Sequence, residues 1–136
     1  MTRVVIDTNV FVSSFFGGNP RKIIELWKNG KLLICLSPEI VNEYVTVLQR
    51  LGLGKDGELD DLLNLFAKGY QIVFTHKTLQ LKVVAEDPDD DKFIACAVAL
   101  KSKCIISGDK ALLAVGSYMG IEILAPQAFL GRGFDG

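Results

Sequence analysis

The chain has 136 residues, 49% of them hydrophobic and 23% charged, with a formal net charge of −1 and a pI near 5.8. This composition excludes a disordered chain and predicts one folded domain over residues 1–136, ending in a loose tail at 131–136. The charge lacks the basic excess of a general nucleic-acid binder, and no apolar run approaches the ~20 residues that a membrane span requires.

The first half of the chain alternates apolar strands with amphipathic helices. Continuous apolar runs predict strands at 3–6 and 32–36. Each predicted helix begins after a residue whose side chain can accept hydrogen bonds from the free N–H groups of a helix start. These residues and their helices are Thr8 or Asn9 before 10–16, Asn19 before 20–27, Ser37 before 38–48, and Asp56 before 59–66.

The second half of the chain continues this alternation. Strands are predicted at 71–75, 104–107 and 121–124. Helices are predicted through 93–100, 111–119 and 126–130, while the apolar stretch 81–85 fits neither pattern clearly. Strands that alternate with helices and are apolar on both faces favour a parallel sheet covered on each side, so the predicted fold class is α/β.

Four aspartates precede the helix through 93–100 within five residues: Asp87, Asp89, Asp90 and Asp91. Asp87 can cap a helix that has Pro88 at its first position, but capping explains only one or two of the four acids. A calcium-binding EF-hand is excluded, since Lys92 stands where that loop requires Gly and Val98 where it requires Glu. Repulsion among these carboxylates therefore indicates either full hydration or a bound cation.

Two further acids directly follow predicted strands. Asp7 follows the strand 3–6 and Asp109 follows the strand 104–107. Ligands of parallel α/β folds bind beyond such carboxyl ends, and Asp91, in the first turn of the preceding helix, can reach the same rim. Glu43 lies at the edge of an apolar helix face, where it is either an ordinary surface acid or a fourth member of this group.

Carboxylate oxygens without thiolate or imidazole ligands suit Mg²⁺ or Mn²⁺, and such ions assist phosphodiester cleavage. Acids at strand ends also occur in phosphotransferases of the haloacid-dehalogenase kind, whose nucleophilic Asp lies in a D-x-D motif. The second position of that motif is occupied here by Asn9, which cannot serve as an acid or base. Metal-assisted hydrolysis is therefore the favoured chemistry, with the phosphotransferase as the alternative.

The cysteines and the single histidine point to no other kind of site. Cys35, Cys96 and Cys104 are odd in number, lie in apolar segments and form no C-x-x-C pair. They are predicted to be reduced core residues, which disfavours zinc and is typical of a cytoplasmic protein. His76 lies in a predicted surface connection and is given no role.

Four segments together resemble the acidic motifs of the PIN domain, and the resemblance spans residues 3–130. In chain order the segments are VVIDTNVFVS, SPEIVNEYVTVL, DPDDDKFIACAVA and IISGDKALL. The resemblance is strongest to the bacterial and archaeal PIN proteins grouped with VapC-type toxins, which are metal-dependent ribonucleases. It implies a three-layer α/β/α sandwich with a central parallel sheet, an RNA substrate and Mg²⁺ or Mn²⁺ as cofactor.

The resemblance also assigns the site residues. It implies four catalytic acids, of which the first, third and fourth bind metal; in chain order they are Asp7, Glu43, Asp91 and Asp109. Asn9 and Ser107 occupy supporting polar positions. Asp91 is preferred as the third acid because the family pattern has a small residue four positions later, where this chain has Ala95, and Asp90 is kept as the reserve.

The family resemblance further implies a homodimer and, if the chain is a toxin, a cognate antitoxin protein as partner. A PIN-like interaction module without activity is the remaining alternative. Such a module predicts gaps among the motif acids, and all four are present.

Overall fold

A six-stranded sheet forms the centre of the protein in a computed structural model that describes residues 1–53 and 57–132. The strands are β1 Thr2–Ile6, β2 Leu32–Leu36, β3 Ile72–Phe74, β4 Cys104–Ile106, β5 Ser117–Tyr118 and β6 Ile121–Leu124. Their order across the sheet is β3-β2-β1-β4-β6-β5, and every neighbouring pair is parallel except the antiparallel β5–β6 pair. The predicted α/β class with a largely parallel sheet is confirmed.

Within the described residues, seven α-helices flank the sheet. They are α1 Thr8–Ser13, α2 Gly18–Lys28, α3 Pro38–Arg50, α4 Glu58–Ala67, α5 Asp91–Leu100, α6 Lys110–Val115 and α7 Pro126–Leu130. Single 3₁₀ turns at Ser14–Phe16 and Pro88–Asp90 follow α1 and precede α5. Helix α5 packs against β1, β2 and β4, which explains why its residues 93–97 are all buried. None of these helices is long and apolar enough to cross a membrane.

The central strands are buried on both faces. Val4, Val5 and Ile6 are fully buried although successive strand residues point to opposite sides, so helices must cover both surfaces of β1. Cys35, Cys96 and Cys104 are buried and unpaired, as predicted.

Three element boundaries differ from the sequence prediction. Helix α2 begins at Gly18, so Asn19 lies inside it and does not cap it. Asp7, rather than Thr8 or Asn9, caps α1, and its side chain accepts a hydrogen bond from the Val10 amide at 2.9 Å. The region 111–119, predicted as one helix, instead ends as α6 and turns into β5, because Gly116 adopts a φ of +76° that a helix does not permit. The predicted cap Asp56 and the tail 133–136 lie outside the described residues.

The strand order creates a switch point between β1 and β4. From β1 the chain builds β2 and β3 on one side, then crosses to build β4, β6 and β5 on the other. Beyond the carboxyl ends of β1 and β4 the connections therefore diverge and leave a crevice, where open α/β sheets bind their ligands. Asp7 and Asp109 follow these two strands.

Candidate functional site

Asp7 is held at the junction of the two central strands. Its backbone amide donates to the Ile106 carbonyl at 3.0 Å, extending the β1–β4 pairing by one residue. One carboxylate oxygen accepts from the Val10 amide and the other from the Ser107 hydroxyl. Burial raises the pKa of this carboxyl and nearby Asp109 adds to the effect, while those two hydrogen bonds oppose it. Asp7 is thus a buried acid with a fixed orientation.

Ser107 connects two of the predicted acids. It is fully buried after β4, and its hydroxyl donates to Asp7 while accepting from the Asp109 amide at 2.9 Å. Asp109 then caps α6, since its Oδ1 accepts from the Ala111 amide at 2.7 Å. The turn after β4 therefore fixes both the position of Asp109 and the direction of the Asp7 carboxylate.

Asp90 lies in the 3₁₀ turn before α5, and its side chain is buried against these acids. Oδ2 of Asp90 is buried and has no hydrogen-bond partner among the described residues. Carboxylate oxygens of Asp87, Asp90 and Asp109 lie within 4.8 Å of one another. The pKa of the Asp90 carboxyl is raised to about 7. Burial is the largest cause, followed by hydrogen bonding with Asp109 and by charge repulsion from Asp109, Asp87 and Asp7.

The helix that carries Glu43 is anchored by the residue after it. The Tyr44 hydroxyl donates to the Ile6 carbonyl, and the Tyr44 ring stacks on Phe11 with centroids 4.1 Å apart and planes 4° from parallel. Both contacts join α3 to the β1–α1 segment that carries Asp7. Glu43 is thereby placed at the same crevice.

Both oxygens of the Glu43 carboxylate have partners. Oε1 accepts a hydrogen bond from the Thr8 hydroxyl, and Oε2 forms an ion pair with the Lys92 ammonium. Lys92 also lies 3.2 Å from Asp89 Oδ2. Glu43 is therefore compensated locally, unlike Asp90.

These acids surround a small pocket of about 70 Å³. Its lining residues are Asp7, Thr8, Asn9, Glu43, Val47, Asp90, Phe93 and Asp109. The ligand atoms that the acid cluster offers are carboxylate oxygens, which hard divalent cations prefer. The unpartnered Asp90 oxygen is available to bind such a cation. The cluster of Asp87, Asp90 and Asp109 therefore fits a divalent cation, with Asp7 beside it.

The structure brings Asp7, Glu43 and Asp109 together, and it places the supporting residues Asn9 and Ser107 beside them. It does not bring Asp91 to this pocket. Oδ1 of Asp91 accepts from the Val83 and Val84 amides at 2.9 and 2.8 Å. The predicted position of Asp91 beside Asp7 is wrong, and the reserve residue Asp90 occupies that position.

Helix geometry gives the physical reason for this correction. Successive residues near a helix start point about 100° apart, so only one of two adjacent acids can face β1 and β4. Asp91 instead faces a second pocket of about 380 Å³ beside Ala95, where its carboxylate satisfies the backbone of the irregular stretch 81–85. The sequence prediction favoured Asp91 because of its spacing to Ala95. Sequence spacing does not show which carboxylate accepts hydrogen bonds from the Val83 and Val84 amides.

Three residues of the site were not assigned to it by the sequence prediction. Asp87 was considered both as a helix cap and as one acid of a run that could bind a cation; its side chain makes no capping hydrogen bond, and one of its oxygens joins the acid cluster. Thr8 was considered only as a cap, and Lys92 only as a mismatch to a calcium loop. The excess of acids in the DPDDD run was the available signal for Asp87; nothing in the sequence marks the Thr8–Glu43–Lys92 contacts.

Comparisons with known proteins agree with the geometry. The family model described as PIN domain matches residues 3–111, which include the acids of the pocket. An uncharacterized protein of Methanocaldococcus jannaschii is 35% identical over an alignment of 120 residues, and the alignment covers 83% of this chain and 74% of that relative.

Proposed function

This chain belongs to the PIN domain family, and from that membership we propose that it is a metal-dependent endoribonuclease, which hydrolyses phosphodiester bonds of RNA. The observation that carries the proposal is the cluster of carboxylates at the β1–β4 switch point, with a buried Asp90 oxygen that lacks a partner among the described residues. A fold rarely keeps such a group unless a ligand satisfies it.

In this proposal Asp87, Asp90 and Asp109 hold Mg²⁺ or Mn²⁺, and Asp7 lies at the edge of that set. A bound divalent cation supplies Lewis-acid polarisation of a phosphoryl oxygen and lowers the pKa of water. The Ser107 hydroxyl orients two acids, because it donates a hydrogen bond to the Asp7 carboxylate and accepts one from the Asp109 backbone amide. Losing Ser107 is expected to disturb two acids at once.

The same arrangement accounts for how an acidic site can accept RNA. The chain has a net charge of −1, and the acid cluster alone repels phosphate. A bound divalent cation offsets two of these negative charges and offers open coordination positions to phosphate oxygens, so a phosphodiester group can bind where it would otherwise be excluded. RNA binding at this pocket is therefore expected to depend on the cation, whereas binding through a general basic surface would not.

Family membership favours this nuclease over the haloacid-dehalogenase-like phosphotransferase, which also requires a second acid where Asn9 stands. An inactive interaction module is disfavoured by the complete set of acids around the pocket. The inactive module also leaves the unpartnered Asp90 oxygen unexplained.

We further propose that the protein works as a homodimer and as the toxin of a toxin–antitoxin pair, with a cognate antitoxin protein as partner. A neighbouring open reading frame for a small DNA-binding protein is expected. Its co-expressed product should co-purify with this chain and suppress RNA cleavage. Sedimentation of the isolated chain as a monomer at micromolar concentration would contradict the dimer.

The function is tested by cleavage of a mixed-sequence RNA by highly purified protein in Mg²⁺ or Mn²⁺. Cleavage is expected, EDTA should abolish it, and Asp109→Asn, which removes a ligand charge at constant volume, should lower the rate by about 10³-fold. Asp109→Asn purified in parallel also controls for contaminating nucleases. Cleavage that survives EDTA, or that is equal in the variant, would refute the assignment.

The cation itself is tested without RNA. Mg²⁺ or Mn²⁺ that binds the folded protein should raise its melting temperature by mass action, and the rise should be absent or small in Asp90→Asn. An identical rise in both proteins would place cation binding elsewhere.

A further inference from the structure

The Lys92 ammonium is the cation that approaches the acid pocket from α5. An ammonium group has three N–H donors, and three acceptors surround this one. They are Glu43 Oε2, Asp89 Oδ2 at 3.2 Å and the Asp89 carbonyl at 2.9 Å. The Lys92 side chain is only 14% exposed. Because acceptors of the protein surround all three N–H donors and the aliphatic stem is covered, Lys92 is held in place and is not available to bind a phosphate.

Glu43 is the partner whose behaviour this contact determines. Its other oxygen accepts from the Thr8 hydroxyl, so a neutral donor and a cation fix the carboxylate from two sides. Glu43 lines the same small pocket as Asp90 and Asp109, yet it is not part of the cluster of Asp87, Asp90 and Asp109 whose oxygens lie within 4.8 Å. The Lys92 ion pair is thus placed to keep Glu43 out of that cluster.

We infer that Lys92 is a positioning residue for the proposed nuclease: its ammonium restrains the Glu43 carboxylate at the edge of the pocket and keeps it from joining the cation-binding aspartates. This inference rests on the proposed function for its catalytic consequence only. Its structural consequence, that Glu43 is freed when the ammonium is removed, concerns cation binding and is measurable without RNA.

The inference predicts opposite changes in two quantities. Without the ammonium, Glu43 gains freedom to move towards the cluster and the pocket gains one uncompensated negative charge, so Mn²⁺ should bind more tightly. Cleavage should slow, because Glu43 leaves the position in which it supports the reaction. A residue with a purely structural role would weaken both properties together.

The experiment uses Lys92→Met, which keeps the aliphatic stem, and Lys92→Arg, which keeps the charge. Lys103→Met is the matched control, since Lys103 is an exposed lysine before the amino end of β4. Mn²⁺ affinity is measured by isothermal titration calorimetry, and kcat and KM are measured for RNA cleavage. Lys92→Met should tighten Mn²⁺ binding by about 3-fold or more and lower kcat by about 10-fold with KM unchanged.

Lys92→Arg should recover most of the lost kcat, and Lys103→Met should behave as the unsubstituted protein. Glu43→Gln, which breaks the same ion pair from the other side, should lower kcat without tightening Mn²⁺ binding. Adding Lys92→Met to Glu43→Gln should lower kcat no further, because a residue that acts through Glu43 is not additive with it.

Unchanged or weaker Mn²⁺ binding in Lys92→Met would overturn the inference. So would a rise in KM at constant kcat, which would mean that Lys92 contacts the substrate directly. If the unsubstituted protein cleaves no RNA, the proposed function fails while the Mn²⁺ titrations still decide the role of Lys92. If Lys92→Met does not fold, Glu43→Gln and Lys92→Arg decide it, and tighter Mn²⁺ binding in Glu43→Gln would contradict the inference.

Discussion

Polar side chains have different roles at the two ends of the central strands. At the amino ends, the Arg3 guanidinium donates to the Leu100 carbonyl at 2.8 Å, and the Ser102 hydroxyl reaches the Arg3 and Cys104 carbonyls at 2.9 Å. At the carboxyl ends, buried Asp7 and Asp90 both have raised pKa values. At the amino ends, polar side chains donate hydrogen bonds to backbone carbonyls. At the carboxyl ends, buried carboxylates lie in a place that disfavours their charge, and a bound cation would reduce that cost.

The strongest test of this contrast compares two adjacent aspartates. Asp90→Asn should lower cation-dependent RNA cleavage by about 10³-fold, because the cluster loses a ligand charge at constant volume. Asp91→Asn should keep cleavage within about tenfold of the unsubstituted rate, since an amide oxygen can still accept from Val83 and Val84. Initial rates with Mn²⁺ at equal protein concentrations give the comparison. Equal losses in the two variants would mean that Asp91 has a part in the pocket.

Two buried serines at opposite ends sharpen the contrast. Ser107→Ala removes the hydrogen bond to Asp7 and should slow cleavage by about 10–100-fold. Ser102→Ala leaves two carbonyls at the amino end with one donor fewer and should cost about 1–3 kcal/mol of unfolding free energy with unchanged activity. Urea unfolding followed by fluorescence of the buried Trp27, together with the cleavage rate, separates the two effects. The contrast breaks if Ser102→Ala is the slower enzyme.

The pH dependence of stability gives the most subtle test. In EDTA, the Asp90 carboxyl keeps its proton up to about pH 7 in the folded protein but loses it near its ordinary pKa of 3.8 when unfolded. Between those values the folded state binds more protons, so stability from this group is full below pH 4 and declines as the pH rises through 7. The unfolding free energy of Asp90→Asn should decline less over that range. Parallel pH profiles for the two proteins would contradict the raised pKa.

The fold was largely predictable because its strands are short apolar runs bounded by helix caps. Strands buried on both faces, such as β1 and β2, appear in the sequence as continuous hydrophobic segments. β5 was missed because two residues carry no periodicity, and the turns on either side of it depend on the positive φ of Gly116, Met119 and Gly120. The failure is local, because β5 is a strand at the edge of the sheet.

The site was predicted less completely than the fold. Acids that follow strands, Asp7 and Asp109, are fixed by topology and could be placed from sequence. Which of Asp90 and Asp91 faces the pocket depends on which carboxylate accepts hydrogen bonds from the amides of Val83 and Val84. Those bonds are a tertiary contact between an irregular segment and a helix start. Lys92 and Glu43 are 49 residues apart in sequence numbering, so no local pattern announces their ion pair.

The lengths of the outer strands have a consequence for aggregation. The two edges of the sheet are β3, with three residues, and β5, with two. Edge strands with many unpaired N–H and C=O groups act as templates for another chain, and short edges are one way in which proteins limit such templating. Strand-by-strand growth into fibrils therefore has little backbone on which to start, and association of two copies is expected to use side-chain surfaces of the helices instead.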